Sequence, residues 1–373
     1  MNNKKLWYDI PINVQKKRLE QLDYPTDDIH RSYNQYCCQN IYYGNAMRNI
    51  LNILSLPMLV FFFLKPNSKI KSTGTYSALS ILEGKPQNII PERLLAEYKS
   101  WKHVDQNSRG LYFDLKGKIF FFKMLKRHPF SWLFLLKSLI KIREYSYLVY
   151  CYHPEAIVVC NEYSFTSSVL TAFCELNNIK HIDVMHGEKV FDINDSYFRY
   201  HNCYVWGKEY IALFQSLKAS ENVFFIELPK ALIFDTLCSV NKVYDYTYYL
   251  GNENINEIRL VIETLQKLAE KGKKIAIRPH PRYTNIECLS EISDIAIEDC
   301  NHTDIKLSIL QTKNVISLFS TVLKQAYSNN VNIVFDDISR RDIFYKLKEY
   351  KYTMMMMGDH KLLSEVLLQE KAI

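Results

Sequence analysis

The second half of the chain repeats one pattern: a short run of β-branched and apolar residues, followed by a stretch with helical spacing. Ala156–Cys160 and Lys180–Met185 have the composition of buried strands, and Ser164–Leu176 between them has helical spacing. Consecutive strands joined by a helix pair in parallel, so this order requires a parallel sheet covered by helices. The pattern starts again at Tyr244–Leu250, which precedes the amphipathic helix Ile255–Lys271. We therefore predict an α/β fold with two Rossmann-like units.

The length of the chain agrees with two units. Its 373 residues exceed the size of one ordinary domain, which is about 100–200 residues. The boundaries that we predict are 1–228 for an N-terminal domain and 243–373 for a C-terminal domain, with the junction near Pro229. The C-terminal domain continues with four predicted strands and one predicted short helix: Lys274–Arg278, Ile295–Glu298, Asn314–Ser317 and Asn332–Phe335, with the helix at Val322–Ser328.

Several function classes are excluded by missing motifs. No G-x-G-x-x-G follows a strand and there is no Walker A sequence, which argues against NAD enzymes and P-loop ATPases. The nine cysteines are spread out with no C-x-x-C pair, so neither a zinc ribbon nor a disulfide scaffold is indicated. Free cysteines and the absence of an apolar secretory signal at the N-terminus favour a reducing cytoplasm. We expect no metal and no cofactor.

The net charge of +7 is unevenly distributed. Residues 1–150 hold 23 Lys and Arg against 11 Asp and Glu (+12), whereas residues 151–373 hold 24 against 29 (−5). Eight of the cations lie in segment 116–143, which has no acidic residue and is rich in Phe and Leu. This composition is typical of a segment lying on an anionic membrane, and Trp132–Arg143 would be its helix. A core helix with one basic edge is the alternative; nucleic acid is not indicated, since no nucleic-acid-binding motif is present.

A second apolar stretch, Ile50–Leu64, is too short for a spanning helix of about 20 residues and contains Pro57. We predict a buried helix followed by a core strand there, with an interfacial segment as the alternative.

Two motifs in the C-terminal domain have the chemistry of a phosphate site. Arg278–Arg282 (RPHPR) directly follows a predicted strand, and its guanidinium groups match the geometry of phosphate oxygens. The prolines restrict the turn, so that Arg278, His280, Pro281 and Arg282 would be pre-positioned. Ser317–Thr321 (SLFST) ends a strand and begins a helix, where Ser320 or Thr321 can cap the free N–H groups that bind phosphate.

Four acidic or basic residues at strand ends are candidates for the remaining roles. His186 and Glu188 flank Gly187 after the strand that ends at Met185, and either side chain can act as a general base. Glu162 follows the strand Ala156–Cys160 and could orient that base or bind acceptor hydroxyls. Glu298 ends a strand of the C-terminal domain and could bind ribose hydroxyls.

The order of these motifs resembles a group of bacterial surface-polysaccharide transferases. His186-Gly187, RPHPR at 278–282 and the Ser/Thr pair at 320–321 are similar to motifs of bacterial sialyltransferases, Kdo transferases and CDP-glycerol glycerophosphotransferases. The resemblance implies a GT-B fold, in which two Rossmann-like domains face a cleft, and it implies cytidine-nucleotide donors. It assigns His280-Pro281 and Ser320-Thr321 to the CMP moiety. Where sialyltransferases have a catalytic Asp-Gly, this chain has His186-Gly187-Glu188, and the glycerophosphotransferases favour His186 as the base.

The resulting hypothesis is a metal-independent glycosyltransferase of O-antigen or capsule synthesis. It would transfer a sialic or related nonulosonic acid from a CMP donor to a lipid-linked or cell-surface glycan. The protein would be cytoplasmic and peripheral on the inner face of the membrane, with segment 116–143 of the acceptor-side domain 1–228 facing the bilayer. The alternatives are a UDP- or GDP-sugar glycosyltransferase, a CDP-glycerol-type transferase, and a non-catalytic membrane-associated assembly protein.

Overall fold

The computed structural model describes residues 6–369, apart from 71–73, 83–85, 106–109, 222, 235–239, 285–288, 290–293 and 359. The chain forms two compact units. The first unit comprises residues up to His186 together with Phe191–Pro229, and the second comprises Gly187–Val190 together with residues from Lys230 onward. The chain passes from the first unit to the second after Pro229. The transfer of Gly187–Val190 to the second unit has no counterpart in the sequence pattern.

The first unit contains a sheet of six parallel strands in the order β2-β1-β3-β4-β5-β6 within the described residues. The strands are short, and those in the middle of the sheet are buried: β1 Ala78–Ser80, β2 Trp101–His103, β3 Ala156–Val159, β4 Lys180–Val184, β5 Asn202–Val205 and β6 Phe224–Ile226, of which the edge strands β2 and β6 have no buried residue. This order reverses between β1 and β3, as in flavodoxin-like sheets. Apolar residues of the strands, including Val158 and Ile182, form the core with Leu94 and Tyr98.

Nine α-helices of the described residues belong to the first unit: α1 Ile12–Glu20, α2 Asp28–Gln39, α3 Asn45–Leu64, α4 Pro86–Ile89, α5 Glu92–Glu97, α6 Leu115–Arg127, α7 Trp132–Tyr152, α8 Ser167–Leu176 and α9 Lys208–Ser216. α2 begins at the N-cap Asp27, whose carboxylate accepts from the N–H of His30. α6 begins in the same way at Asp114, which accepts from the N–H of Gly117.

The second unit contains another sheet of six parallel strands within the described residues, in the order β12-β11-β10-β7-β8-β9. Its strands are β7 Tyr244–Tyr249, β8 Ile275–Arg278, β9 Ala296–Ile297, β10 Thr312–Ser317, β11 Asn332–Phe335 and β12 Lys361–Leu362. Counted from β7, the spatial order is 3-2-1-4-5-6, which is the dinucleotide-fold order with its reversal between β7 and β10. The helices are α10 Ile255–Ala269, α11 Ile305–Gln311, α12 Thr321–Ser328, α13 Arg341–Glu349 and α14 Leu363–Gln369.

The core of the second unit follows from the amphipathic pattern of α10. Its apolar residues Ile258, Val261, Leu265 and Leu268 recur at helical spacing and pack against strand residues such as Ile277. A capping box formed by Asn254 and Glu257 fixes the start of this helix. The predicted α/β architecture of two Rossmann-like units is therefore confirmed by the two parallel sheets.

The prediction for Ile50–Leu64 is wrong. The segment is not a buried helix followed by a strand but part of one continuous helix, α3, which runs through Pro57. Only 11% of its span Ala46–Leu64 is buried, and the mean hydropathy of that span is 1.7. Among the described residues it is one helix that is long and apolar enough to cross a membrane, by length and composition only. Pro57 is tolerated because it lies on the exposed side of the helix.

The membrane-facing prediction for Trp132–Arg143 also needs correction. These residues begin α7, a 21-residue helix that buries Phe134, Leu135, Leu139 and Ile142. Arg143, predicted to lie at lipid headgroups, is completely buried. Its guanidinium donates to the carbonyl oxygens of Phe62, Lys65 (2.8 Å) and Pro66 (3.2 Å) at the C-terminal end of α3. The core-helix alternative thus describes α7, and Arg143 caps a neighbouring helix.

Candidate functional site

The carboxyl ends of β7 and β10 form the point at which the order of the second sheet reverses. Ligands of such sheets bind in the crevice outside the strand ends at this point, because adjacent loops leave in opposite directions there. The loop after β7 leads from Gly251 to the N-cap Asn254 of α10, and the loop after β10 leads to the N-cap Ser320 of α12. Two helix N-termini, each with free N–H groups and the positive end of its dipole, therefore flank this edge.

His280 lies in the loop after the neighbouring strand, β8, and its ring has a defined orientation. Its Nδ1 accepts from the backbone N–H of Arg282 at 3.1 Å, and the ring of Tyr283 stacks on it with centroids 4.5 Å apart. Burial and the charge of Arg282 lower the pKa of His280, so the neutral form dominates at pH 7. Because Nδ1 is the acceptor, the proton of the neutral ring is on Nε2, which is a donor suited to a phosphate oxygen.

The loop containing His280 is tied to the loop after β7 by one side chain. The hydroxyl of Thr284 accepts from the N–H of His280 at 2.8 Å and donates to the carbonyl of Gly251 at 3.2 Å. The sequence analysis did not single out Thr284. The spacing of Thr284, four residues after His280, was the available signal for this contact.

Arg278 does not extend toward a ligand. Its side chain is buried and forms an ion pair with Glu298, with Nη1 and Oε2 3.2 Å apart, and Nη2 donates to the carbonyl of Thr303 at 2.7 Å. The same carboxylate oxygen of Glu298 accepts from the hydroxyl of Ser308, which also hydrogen-bonds to Tyr249. Two residues predicted to bind phosphate and ribose thus satisfy each other inside the unit.

Pro281 and Arg282 occupy the exposed part of the RPHPR turn. Arg282 is exposed and directly follows the His-Pro pair, so its guanidinium is the cation of this motif that remains accessible to an anion. The compact anion site predicted for the motif is therefore reduced to His280 and Arg282, with Pro281 between them.

The Ser/Thr motif after β10 divides into one structural and two accessible residues. Ser317 is buried, and its hydroxyl donates to the carbonyl of Tyr249 at 3.0 Å, which ties β10 to β7. Of the two N-cap candidates, Ser320 is the N-cap: its hydroxyl accepts from the N–H of Val322 at 3.2 Å, and Thr321 is the first residue of α12. Ser320 and Thr321 are half-buried, so a ligand can reach this helix N-terminus.

Glu188 belongs to the second unit, because the segment Gly187–Val190 packs there. The carbonyl of Lys189 accepts from both the N–H (3.2 Å) and the hydroxyl (2.8 Å) of Thr353. The neighbouring Tyr352 is completely buried beside Glu188 and the backbone of Ser320. Burial and the negative charge of Glu188 raise the pKa of Tyr352 well above its usual value. The Glu188 carboxylate thus lies beside Tyr352, which is itself next to the backbone of Ser320, and sequence reasoning did not single out Tyr352.

The other two candidates for catalysis are in the first unit. His186 follows β4 and is exposed, two residues before Glu188 in the chain. Glu162 follows β3 but is fully buried. Burial raises the pKa of Tyr200, and the negative charges of Asp183 and Glu162 raise it further. Glu162 is therefore an internal charge of the first unit rather than a surface group for acceptor hydroxyls.

Among the described residues, no group of three or more His, Cys, Asp or Glu side chains is arranged to hold a metal ion.

Comparisons with known proteins give structural similarities only. No protein-family model matches the chain, and no curated protein matches its sequence. The chain is similar to UDP-N-acetylglucosamine 2-epimerase from Rickettsia bellii at 10% identity and a TM-score of 0.44, covering 80% of this chain and 96% of that one. It is similar to the wall teichoic acid polymerase TagF at 12% identity and a TM-score of 0.41, covering 88% and 89%.

A third similar structure is the glycosyltransferase SnogD from Streptomyces nogalater, with 10% identity, a TM-score of 0.44 and coverage of 80% and 99%. All three similarities are too weak to assign an activity or a site residue. The two six-stranded parallel sheets carry the conclusion about the fold, and that fold is α/β and GT-B-like.

Proposed function

We propose that the protein is a glycosyltransferase whose second unit binds a sugar nucleotide. One observation carries the proposal: His280 and the capped N-terminus of α12 both lie at carboxyl ends of strands of a sheet with dinucleotide-fold order. A neutral Nε2–H donor, free helix N–H groups and the exposed Arg282 are together the donors that a nucleotide phosphate requires. The reversal between β7 and β10 is the expected place for the nucleotide.

The chemistry that this arrangement supports is displacement of a nucleotide by a hydroxyl. A base takes the proton of the acceptor hydroxyl, whose oxygen attacks the anomeric carbon. The bond from that carbon to the phosphate oxygen breaks, and the nucleotide leaves with the electron pair. His280 and the N-terminus of α12 stabilise the charge that develops on the leaving phosphate. Cationic and N–H donors supply this stabilisation without a metal ion.

For the base, we favour Glu188 or His186. Glu188 lies in the same unit as the phosphate donors and close to the N-terminus of α12 through Tyr352. His186 precedes it by two residues, so the two Cα atoms are at most about 7 Å apart. Glu162 is excluded from direct contact with an acceptor by its burial.

For the donor, we favour CMP-linked sialic or nonulosonic acid, because His280-Pro281 and Ser320-Thr321 match the CMP-binding pairs of sialyltransferases in order. The acceptor would be a lipid-linked or cell-surface glycan of O-antigen or capsule. A CDP-glycerol-type transferase and a UDP- or GDP-sugar transferase are the alternatives within the same fold.

The test offers the purified protein a panel of sugar nucleotides, with and without a lipid-linked acceptor, and measures release of CMP, CDP, UDP and GDP. Release of CMP is expected. Release of UDP or GDP alone would overturn the cytidine assignment, release from CDP-glycerol would favour the glycerophosphotransferase, and binding without turnover would favour a non-catalytic assembly protein.

Two sets of variants test the residue roles. For His280→Ala we expect a loss of about 3 kcal/mol of transition-state stabilisation, on the order of 100-fold in rate. The matched control is His302→Ala, an exposed histidine of the same unit whose ring pairs with Asp299. For Glu188→Gln and His186→Gln, the base is the residue whose loss lowers kcat without weakening nucleotide binding. Unchanged turnover in His280→Ala would remove His280 from the site.

A further inference from the structure

The outer surface of α3 is apolar from Ile50 to Leu64. Nine of its large apolar side chains are exposed: Met47, Ile50, Ile53, Leu54, Leu56, Met58, Val60, Phe61 and Leu64. Their exposed fractions range from 38% to 71%. No charged residue occurs between Asn49 and Leu64. A contiguous apolar surface of this kind on a folded unit indicates an interaction site.

The inward side of α3 is a narrow stripe and leaves this surface free. Ser55 and Leu59 are buried, and Asn52 and Phe62 are half-buried, at the three- and four-residue spacing of one helix face. The side chain of Asn52 fixes the helix in place: it donates to the carbonyl of Phe130 at 2.8 Å and accepts from the N–H of Leu133 at 3.0 Å. Arg143 holds the other end.

Helix α6 extends the apolar surface and adds positive charge. Leu115, Ile119 and Phe122 are exposed along one face, and Phe122 contacts Phe63 of α3 with ring centroids 5.7 Å apart. Lys123 and Lys126, both exposed, lie beside or within this stripe at helical spacing. Together with Phe130, which is 78% exposed, these residues and the nine of α3 form what we call the apolar surface.

Acidic residues are missing from the chain segments that form the apolar surface. The sequence has no Asp or Glu from Ile29 to Leu82, nor from Leu115 to Arg143. Asp27, outside these segments, reaches their edge: its carboxylate pairs with Arg127 and interacts with the charge of Lys123. A surface that is apolar in its centre and mainly positive at its edge is complementary to an anionic bilayer, where acyl chains accept the apolar side chains and headgroups accept the cations.

A pocket at the N-terminal end of α3 has the chemistry of a phosphate site. The cavity has a volume of about 330 Å³ and is lined by Arg18, Arg48, Asn49, Asn52 and Phe130, among others. Arg18 donates to the carbonyl of Cys37 through Nε and Nη2, both at 3.3 Å, and its guanidinium borders the cavity. No acidic side chain lines this pocket in the described residues. Asn52 and Phe130 also join the pocket to the apolar surface.

We propose that the apolar surface docks the first unit on an anionic phospholipid membrane, with a lipid phosphate in the pocket between Arg18 and Arg48. α3 lies flat in the interface rather than crossing it, because Asn52 and Arg143 hold it along the unit and Ser55 and Leu59 are buried between them. This proposal corrects the predicted surface: α3 and α6 contact lipid, and α7 does not. It does not rest on the proposed enzymatic function, since docking requires no nucleotide.

The experiment is flotation of the full chain with vesicles of phosphatidylcholine alone or with 30% phosphatidylglycerol. We expect binding to the anionic vesicles that decreases with added salt. The variant Ile53→Gln/Leu54→Gln/Phe61→Gln removes three exposed side chains from the apolar surface, and its partitioning is expected to fall on the order of 100-fold. The matched control is Ile255→Gln/Leu307→Gln/Leu368→Gln, three exposed apolar residues of helices in the second unit. Equal loss in both triple variants, or retained binding in the first, would overturn the proposal.

Two further measurements separate the alternatives. Arg48→Gln is expected to weaken binding to phosphatidylglycerol vesicles about 10-fold, while Arg259→Gln, an exposed arginine of α10, leaves it unchanged. Competition by inorganic phosphate without any contribution from the apolar surface would indicate a soluble anion instead of a lipid. A dimer that the first triple variant converts to a monomer, without vesicle binding by either, would identify the surface as an interface between copies and refute membrane docking.

Discussion

Replacement of Arg143 by methionine separates the two roles that the sequence and the structure assign to this residue. A headgroup contact would make the change harmless to folding. In the structure, however, the guanidinium is completely buried and donates to three backbone carbonyls at the end of α3 and to the side chain of Asn67 at 3.2 Å. Methionine preserves most of the side-chain volume but supplies no donor.

The expected cost follows from the groups left without partners. The three hydrogen bonds from Arg143 to carbonyl oxygens are part-buried and have a charged donor, so each contributes about 1 kcal/mol and the three together about 3 kcal/mol. The favourable interaction of a cation with the C-terminal end of a helix dipole is lost as well. For a unit of this size, 1 kcal/mol corresponds to about 2–4 °C in Tm, so we expect a decrease of about 10 °C.

The assay is thermal unfolding followed by tryptophan fluorescence. All four tryptophans of the chain, at positions 7, 101, 132 and 206, belong to the first unit, so this signal reports on that unit alone. The control is Lys137→Met, which removes an exposed cation from the same helix and is expected to change the free energy of unfolding by less than about 1 kcal/mol. A Tm for Arg143→Met within 2 °C of the wild type would refute the capping role.

Three other predictions address buried polar groups. Burial lowers the pKa of His181 to about 3 in the folded protein, whereas the pKa of an unfolded histidine is about 6.5. The contribution of His181 to the free energy of unfolding is therefore complete above pH 6.5 and should fall by about 1.4 kcal/mol per pH unit below it, as measured by tryptophan fluorescence. A free energy of unfolding that does not change between pH 6 and 4 would contradict this. Arg278→Met should destabilise the second unit by about 3 kcal/mol, and Arg278→Met/Glu298→Gln should recover most of that loss in a double-mutant cycle, whereas additive effects would show that the pair is not coupled. Ser317→Ala should cost about 1 kcal/mol in thermal unfolding and leave nucleotide affinity unchanged, and weakened affinity would restore Ser317 to the binding site.

The fold was largely predictable because its signal is local. Apolar runs such as Ala156–Cys160 and the amphipathic spacing of α10 determine the elements one by one, and their alternation requires parallel sheets. The spatial order of the strands was not predictable, because it depends on which edge each strand joins. Residues Gly187–Val190 show the same difficulty: nothing in their sequence indicates that they pack with a unit whose other residues begin at Lys230.

Parts of the candidate site were predictable where the role of a residue depends only on its place at the end of a strand or the start of a helix. Ser320 caps α12 as expected, because an N-cap is determined by the residue at the junction of loop and helix. Arg278 and Glu298 were both expected to bind the nucleotide, yet they bind each other across 20 positions of sequence. The type of a charged residue shows what it can bind, and only the tertiary structure shows which partner reaches it first.

The prediction of a buried helix and a core strand for Ile50–Leu64 is wrong because hydrophobicity does not by itself imply burial. An apolar stretch predicts contact with something other than water, and a protein core is only one such environment. The exposed fractions of Ile53, Leu54 and Leu64 show that the core is not that environment here. The prediction that Arg143 lies at lipid headgroups is wrong because a positive charge does not by itself imply exposure.

The carbonyl of Lys189, which accepts both donors of Thr353, has a practical consequence for dissecting the protein. A fragment starting at Lys230 would lack the four residues that cover Thr353 and the buried Tyr352. Such a fragment should leave the backbone N–H and the hydroxyl of Thr353 without their acceptor and should expose the ring of Tyr352. We therefore expect it to aggregate or to bind hydrophobic dyes. A synthetic peptide covering residues 186–191, added in trans, should bind it and restore its solubility. The second unit is thus built from two separate stretches of the chain, and the shorter stretch, Gly187–Val190, lies in sequence between the two parts of the first unit.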